Sequence, residues 1–195
     1  MSAVIHRLTK RTFFGQVNPR RDEINDYDEN GYTALSLAVK AKRYDLVVIL
    51  VENKVNLDIF DEKTGMTPLM YSVHNQTHEI SNLLIKEGAD VNICDYKSVS
   101  PLMIACCVDD PVMTMTLCAN MANVDQRDYN GWTPLHYAAY GCSDECCKIL
   151  ITYGADRTKE DFKQRKPIHV AKYRDKGLGR CIAVLEDRKD LLTFA

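Results

Sequence analysis

The sequence predicts an all-α chain built from a repeated helical hairpin, and three observations predict it. A short signature returns at a nearly constant interval: Gly31-Tyr-Thr-Ala-Leu, Gly65-Met-Thr-Pro-Leu, Val99-Ser-Pro-Leu, Gly131-Trp-Thr-Pro-Leu-His and a worn Lys166-Pro-Ile-His. Its third slot holds Thr33, Thr67, Ser100, Thr133 and Lys166, spaced 34, 33, 33 and 33 residues apart. Each signature is followed by two apolar patterns at helical spacing and preceded by a cluster of turn residues. A period near 33 marks a stacked-repeat chain, which builds a long binding surface more readily than a catalytic pocket.

Along the chain, residues 1–27 are expected to form an N-terminal cap. Val4, Ile5 and Leu8 suggest a short helix there, Phe13, Phe14 and Val17 a cover for the first repeat, and Ile24-Asn25 the strand end of a preceding unit. Four full repeats occupy 28–60, 62–94, 95–127 and 128–160, with Asp61 as a one-residue insertion, and 161–195 make a capping repeat and tail. Each repeat opens on a turn such as Asp28-Glu-Asn-Gly or Asp128-Tyr-Asn-Gly, where Asp and Asn bond their own backbone and Gly supplies positive φ. In the third repeat Ser98 stands in that Gly slot.

Thr33, Thr67, Ser100 and Thr133 are placed to cap the first helix of each hairpin, and Pro68, Pro101, Pro134 and Pro167 sit at its first position, where a missing N–H costs nothing. That helix carries small residues, such as Ala105 and Cys106, or Ala138 and Ala139, that let neighbours approach closely. The second helix carries the bulk: Leu46, Val47, Ile49 and Leu50; Ile80, Leu83, Leu84 and Ile85; Val112, Met115 and Leu117; Ile149, Leu150 and Ile151; Ile182, Val184 and Leu185. Pro111 after Asp110 reads as one start of such a helix. Gly88 and Gly154 close two of these helices in the left-handed capping slot. Lys54 and Met121 fill it elsewhere at a cost in strain, so those exits are expected to differ.

The period and the Thr-Pro-Leu-His signature resemble the ankyrin repeat over about residues 22–185. The resemblance implies a solenoid of stacked helix-turn-helix units with β-turn fingers, and a protein-binding function as adaptor or scaffold. A permanent structural subunit of a larger assembly is the second reading, favoured by Met113, Met115, Cys118 and Met121, and an enzyme a distant third. It also implies that His136 and His169 brace neighbouring turns, and that the turn tips and the outward side of helix one meet partners.

The tip after the recurring Asp reads Glu29, Lys63, Tyr96, Tyr129 and Phe162. Exposed rings of this kind dominate binding hot spots. The expected partner-binding residues are therefore Tyr96, Lys97, Val99, Arg127, Tyr129, Asn130, Trp132, Tyr140, Phe162, Lys163, Arg165 and Tyr173, on the C-terminal half. Their basic members suggest a partner segment with acidic and apolar residues. The competing readings pack the rings on one another across neighbouring tips and assign the bases to solubility.

Composition narrows the rest. A formal net charge of -2 argues against a general nucleic-acid binder, and the longest aliphatic run, Leu46 to Val51, is too short to cross a bilayer. The eight cysteines include no Cys-x-x-Cys pair. Cys106, Cys118, Cys146 and Cys147 are expected to pack as small apolar fillers, and Cys94 and Cys142 to be exposed thiols in a reducing compartment, cytoplasmic or nuclear. Arg7, Lys10, Arg11, Arg20 and Arg21 share the bias of a transit peptide, but a structural cap is the preferred reading. His74 and His78 read as a solvated pair, and Gly177-Leu-Gly179-Arg180 as a linker. No catalytic set, cofactor site or metal site is expected, and the short tail argues against an added ubiquitin-ligase adaptor box.

Overall fold

The computed structural model describes residues 23–174 and 180–186, in two compact units divided between Tyr96 and Lys97. Residues 1–22 of the expected N-terminal cap, most of the Gly177–Arg180 linker and the tail beyond Glu186 lie outside the described residues. Among the described residues the chain is all-α, with no strand.

The first unit opens with a 3₁₀ turn, Glu23–Asn25, where the sequence suggests a strand end. Ile24 is buried, and Asn25 Oδ1 accepts the Asn56 N–H at 2.9 Å, so this short segment closes the first hairpin through a side chain. Two helical hairpins follow: α1 (Ala34–Lys40) with α2 (Tyr44–Glu52), and α3 (Pro68–His74) with α4 (His78–Lys86). Helix α1 packs on α3 and α2 on α4, so each hairpin hides its apolar flank against the next. Leu35, Ala38, Val47, Leu69, Val73 and Leu84 are the fully buried centre.

The second unit stacks three hairpins: α5 (Pro101–Cys107) with α6 (Pro111–Ala119), α7 (Pro134–Gly141) with α8 (Asp144–Thr152), and α9 (Pro167–Arg174) with α10 (Arg180–Glu186). Helices α5, α7 and α9 form one row and α6, α8 and α10 the other. The first row carries Ala105, Ala138, Ala139 and Ala171, all with no exposure, and these small side chains set the close approach. Cys106, Cys118, Cys146 and Cys147 are buried, as their positions suggest, and Cys181 joins them. The Cys147 and Cys181 sulfurs lie 3.2 Å apart between α8 and α10. Cys142 is exposed, whereas Cys94 is half-buried with its thiol directed at the Asn92 carbonyl.

Three of the four expected caps work as the signature implies; Thr133 makes no side-chain cap bond, and its own N–H donates to His136 Nδ1 instead. Thr33, Thr67 and Ser100 accept the N–H three residues on, at 3.2, 3.3 and 3.3 Å. Asp110 does the same for α6. The exits at Lys54 and Met121 do not differ from those at Gly88 and Gly154. All four residues take positive φ, at 58, 66, 97 and 90°, and in each case the next N–H bonds back to a helix carbonyl, as in Val55 to Leu50 and Ala122 to Leu117. The hairpin demands this backbone whatever the residue, so the strain at Lys54 and Met121 is accepted. Two second helices depart from the expected stripe: in α2 Ile49, expected inside, is 38% exposed, and in α6 the stripe is shifted. Met113, Thr114, Leu117 and Cys118 are buried, while Val112 and Met115, expected inside, are 55% and 50% exposed. Pro111 is the first residue of α6, and from that start the helix turns Val112 outward and Met113 inward.

Candidate functional site

Four fingers are each organised by one buried or half-buried carboxylate, Asp28, Asp61, Asp128 or Asp161. Asp128 Oδ1 accepts the Asn130 and Trp132 N–H groups at 2.8 and 2.7 Å, and its Oδ2 accepts from Tyr137 Oη at 2.9 Å. Asp161 repeats the pattern with Lys163 and Arg165, and it also takes the Trp132 indole N–H at 3.0 Å and the Arg165 guanidinium at 2.6 Å. Burial opposes charge at Asp161, but the Arg165 guanidinium and the backbone donors prevail and hold the carboxyl down at about 2.

Asp61 belongs to this series. It is fully buried, binds Thr64 Oγ1 and accepts the Lys63, Thr64 and Met66 N–H groups and Tyr71 Oη. It is therefore the hub of the second finger rather than an insertion, and the extra residue falls within Glu62–Thr64. The tip after the hub is then Glu62, not Lys63. The Glu62 N–H bonds the Gly31 carbonyl, in the same way that Tyr96 bonds Thr64, Tyr129 bonds Lys97 and Phe162 bonds Asn130, at 3.1, 3.2, 3.1 and 3.0 Å. Burial, reinforced by the Asp61 charge, pushes the Tyr71 hydroxyl up to about 12.

His136 braces two fingers. Its Nδ1 receives the Thr133 N–H at 3.1 Å, so Nε2 carries the proton and donates to the Arg165 carbonyl at 2.9 Å. Burial holds its pKa below the ordinary histidine value. His169 Nδ1 likewise accepts from Lys166 N–H. Cys142 is an exposed helix cap at φ 57°.

Eleven of the twelve expected residues lie in the second unit; Tyr96 belongs to the first and packs edge-on to Phe60, centroids 5.9 Å apart. Tyr129 and Phe162 are 68% and 69% exposed, so the tip rings are not buried against one another. A cleft of about 360 Å³ opens beside them, walled by Tyr129, Asn130, Trp132, Phe162, Lys163 and Arg165. Gly131, at φ 78°, lets the fingers close up: a Cβ there would come 2.9 Å from the Phe162 nitrogen. Trp132 forms the floor against Tyr137 and Tyr140, at 5.4 and 5.6 Å. Arg174 lies over Tyr140 at 4.2 Å. Tyr173 is 90% exposed on α9, and Val99 is half-buried beside the Ser100 cap.

The cations divide. Arg165 is committed to Asp161 and the Trp132 face. Arg127 donates to the Gly131 and Glu160 carbonyls and lies over Phe162 at 5.2 Å. These guanidiniums hold the rings in place, while Lys163 is exposed at the rim. The tip slot alone misses Tyr27 and Phe60, exposed rings one residue before their hubs; alignment on the recurring Asp, with Asp61 included, brings them into one column. Among the described residues no group of three or more His, Cys, Asp or Glu is placed to hold a metal ion, and no helix is long and apolar enough to cross a membrane.

Comparison with known proteins agrees with the geometry. The family described as ankyrin repeats (3 copies) matches residues 3–95 and 77–161. The probable 26S proteasome regulatory subunit p28 of Saccharomyces cerevisiae is 31% identical over 152 residues, covering 76% of this chain and 67% of that protein. The tyrosine-protein kinase HTK16 of Hydra vulgaris is 30% identical over 128 residues, 63% of this chain, and the human neurogenic locus notch homolog protein 1 is 31% identical over 148 residues, 75% of this chain. The chain spans only 17% and 6% of those two proteins.

Proposed function

The chain belongs to the ankyrin-repeat family, and on that premise we propose that it is a non-enzymatic adaptor or scaffold whose second unit grips a partner protein at its finger tips. Membership of the family makes it a protein–protein interaction module. The finer assignment is carried by one observation: Tyr129 and Phe162 stand about two-thirds exposed on either side of a cleft floored by Trp132. Rings already held by backbone and guanidinium contacts lose little freedom on binding. The proposed partner is a segment with an apolar side chain for the cleft and acidic residues for Arg127 and Lys163. A reducing compartment, cytoplasmic or nuclear, fits eight free cysteines of which five are buried.

Capture from native lysate tests this. Tyr129→Ala with Phe162→Ala is expected to lower recovery of the wild-type partner at least about tenfold, since buried aromatic anchors each contribute about 2 kcal/mol or more. Unchanged capture by a double variant with wild-type thermal unfolding refutes the site.

A second reading, a permanent subunit of a larger assembly, is favoured by the outer face of α6. No charged residue occurs in that helix, and Val112, Met115 and, just beyond it, Met121 are 55, 50 and 84% exposed. The name of the yeast relative, a probable regulatory subunit, points the same way. Purified protein that stays monomeric and soluble across concentration, by light scattering, excludes it.

A further inference from the structure

The turn edge of the first unit has a character of its own. It is built from residues 24–32, 56–66 and 90–96, which hold eight acidic residues and one basic residue, Lys63. The Lys63 ammonium lies 5.6 Å from the Tyr32 ring, a ring that Lys40 also covers at 3.7 Å. On the same edge Tyr27, Phe60 and Tyr96 are 39, 42 and 49% exposed. Tyr27 Oη donates to the Phe60 carbonyl at 3.0 Å, and Phe60 meets Tyr96 edge to face. Tyr96 lies so close over Gly65 that a Cβ there would be 2.6 Å from its ring. The rings are thus adjacent, oriented and half bare, as an interaction surface requires. Carboxylates border them. Asp26, Glu29 and Glu62 are exposed, the Glu62 side chain lies so close over Gly31 that a Cβ there would be 2.9 Å from its Oε2, and burial followed by the Glu62 charge holds the Tyr27 hydroxyl above its ordinary range.

We propose that this edge is a second docking surface, for a basic segment of a partner protein whose arginine or lysine side chains lie against Tyr27, Phe60 and Tyr96 and pair with Asp26, Glu29 and Glu62. The occupant follows from charge. A cation is attracted to a ring face and again by the carboxylates around it, whereas an acidic segment meets an excess of like charge, eight carboxylates against Lys63. The chemistry is the reverse of that proposed for the second unit and does not depend on it.

The test is fluorescence anisotropy on the full chain, with a fluorescein-labelled peptide alternating Arg and Leu and a second peptide with Glu in place of Arg. The basic peptide is expected to bind about tenfold tighter than the acidic one to the Tyr129→Ala, Phe162→Ala variant, in which the second unit's site is removed, and to weaken steeply with added salt. Phe60→Ala, and separately Glu29→Lys with Glu62→Lys, should each cost it about tenfold. Equal affinity for the two peptides overturns the proposal. So does full binding by the charge-reversed variant, provided its thermal unfolding matches wild type. A concentration-dependent dimer broken by the same reversal assigns the edge to a second copy of this chain and overturns it as well. Loss of partner capture through the second unit leaves these readouts unaffected, so the two proposals fail separately.

Discussion

The same turn is dressed in opposite ways in the two units. In the first unit the hubs are flanked as Tyr27-Asp28-Glu29 and Phe60-Asp61-Glu62, ring before and acid after. In the second they are flanked as Arg127-Asp128-Tyr129 and Glu160-Asp161-Phe162, charge before and ring after. The backbone is indifferent to the exchange: all four hub N–H groups bond the carbonyl at the far side of their turn, at 2.8 to 3.0 Å. The edges differ accordingly. Residues 97–99, 123–132 and 156–165 carry five acids and six bases, against eight and one on the first unit's edge. What the comparison teaches is a division of labour within three residues. The middle carboxylate turns inward and makes the finger, and its two neighbours turn outward and give each edge its charge and rings.

If that division is right, removing a hub must cost far more than changing its neighbours. Asp61→Ala strands five donors, the Lys63, Thr64 and Met66 N–H groups and the Thr64 and Tyr71 hydroxyls, and is expected to lose roughly 4 kcal/mol of stability, against about 1 kcal/mol for Asp28→Ala, whose hub is partly exposed and accepts two backbone N–H groups. Urea unfolding measures both, and equal losses would mean that neither burial nor the number of donors sets the worth of a hub.

The second unit adds a brace that the first lacks. Where α7 has His136, α1 and α3 have Ser36 and Met70. His136→Met should cost about 2 kcal/mol by leaving the Arg165 carbonyl and the Thr133 N–H without their partner. It should also alter the pH profile. The folded His136 has a depressed pKa, so on acidification the unfolded chain takes the proton first. The stability tied to it is complete above about 6.5, the unfolded value, and is lost as pH falls through the lower folded one, with a limiting slope of about 1.4 kcal/mol per pH unit. A further loss below about 4 belongs to Asp61 and Asp161, whose carboxyls are also depressed, that of Asp161 to about 2. Denaturant midpoints across pH should show the first slope in wild type and its disappearance in His136→Met; an unaltered slope assigns it elsewhere.

The smallest effects should be shared by both units, because the backbone is shared. Lys54→Gly and Met121→Gly relieve left-handed strain at equivalent exits, and each is expected to stabilise by about 1 kcal/mol, seen as a rise in Tm. A loss at either would mean that its side chain anchors the exit.

Much of this was legible in sequence for a definite reason. Caps, first-turn prolines, left-handed slots and small-residue rows answer to the local backbone of a single hairpin, and the repeat prints that requirement again every 33 or 34 residues. The helices, the Thr and Ser caps and the exposure of Tyr129 and Phe162 follow from it. Only the tertiary structure decided the rest, because it depends on contacts that the period does not record, within a finger and between neighbouring hairpins. Asp61 is a hub because Thr64, Met66 and Tyr71 converge on it; Val112 faces out because α8 packs against Met113's side of α6; and Arg165 is withheld from any partner because Asp161 and Trp132 take it first. Periodicity records which residues a hairpin needs, and stacking determines which of them remain free to touch something else.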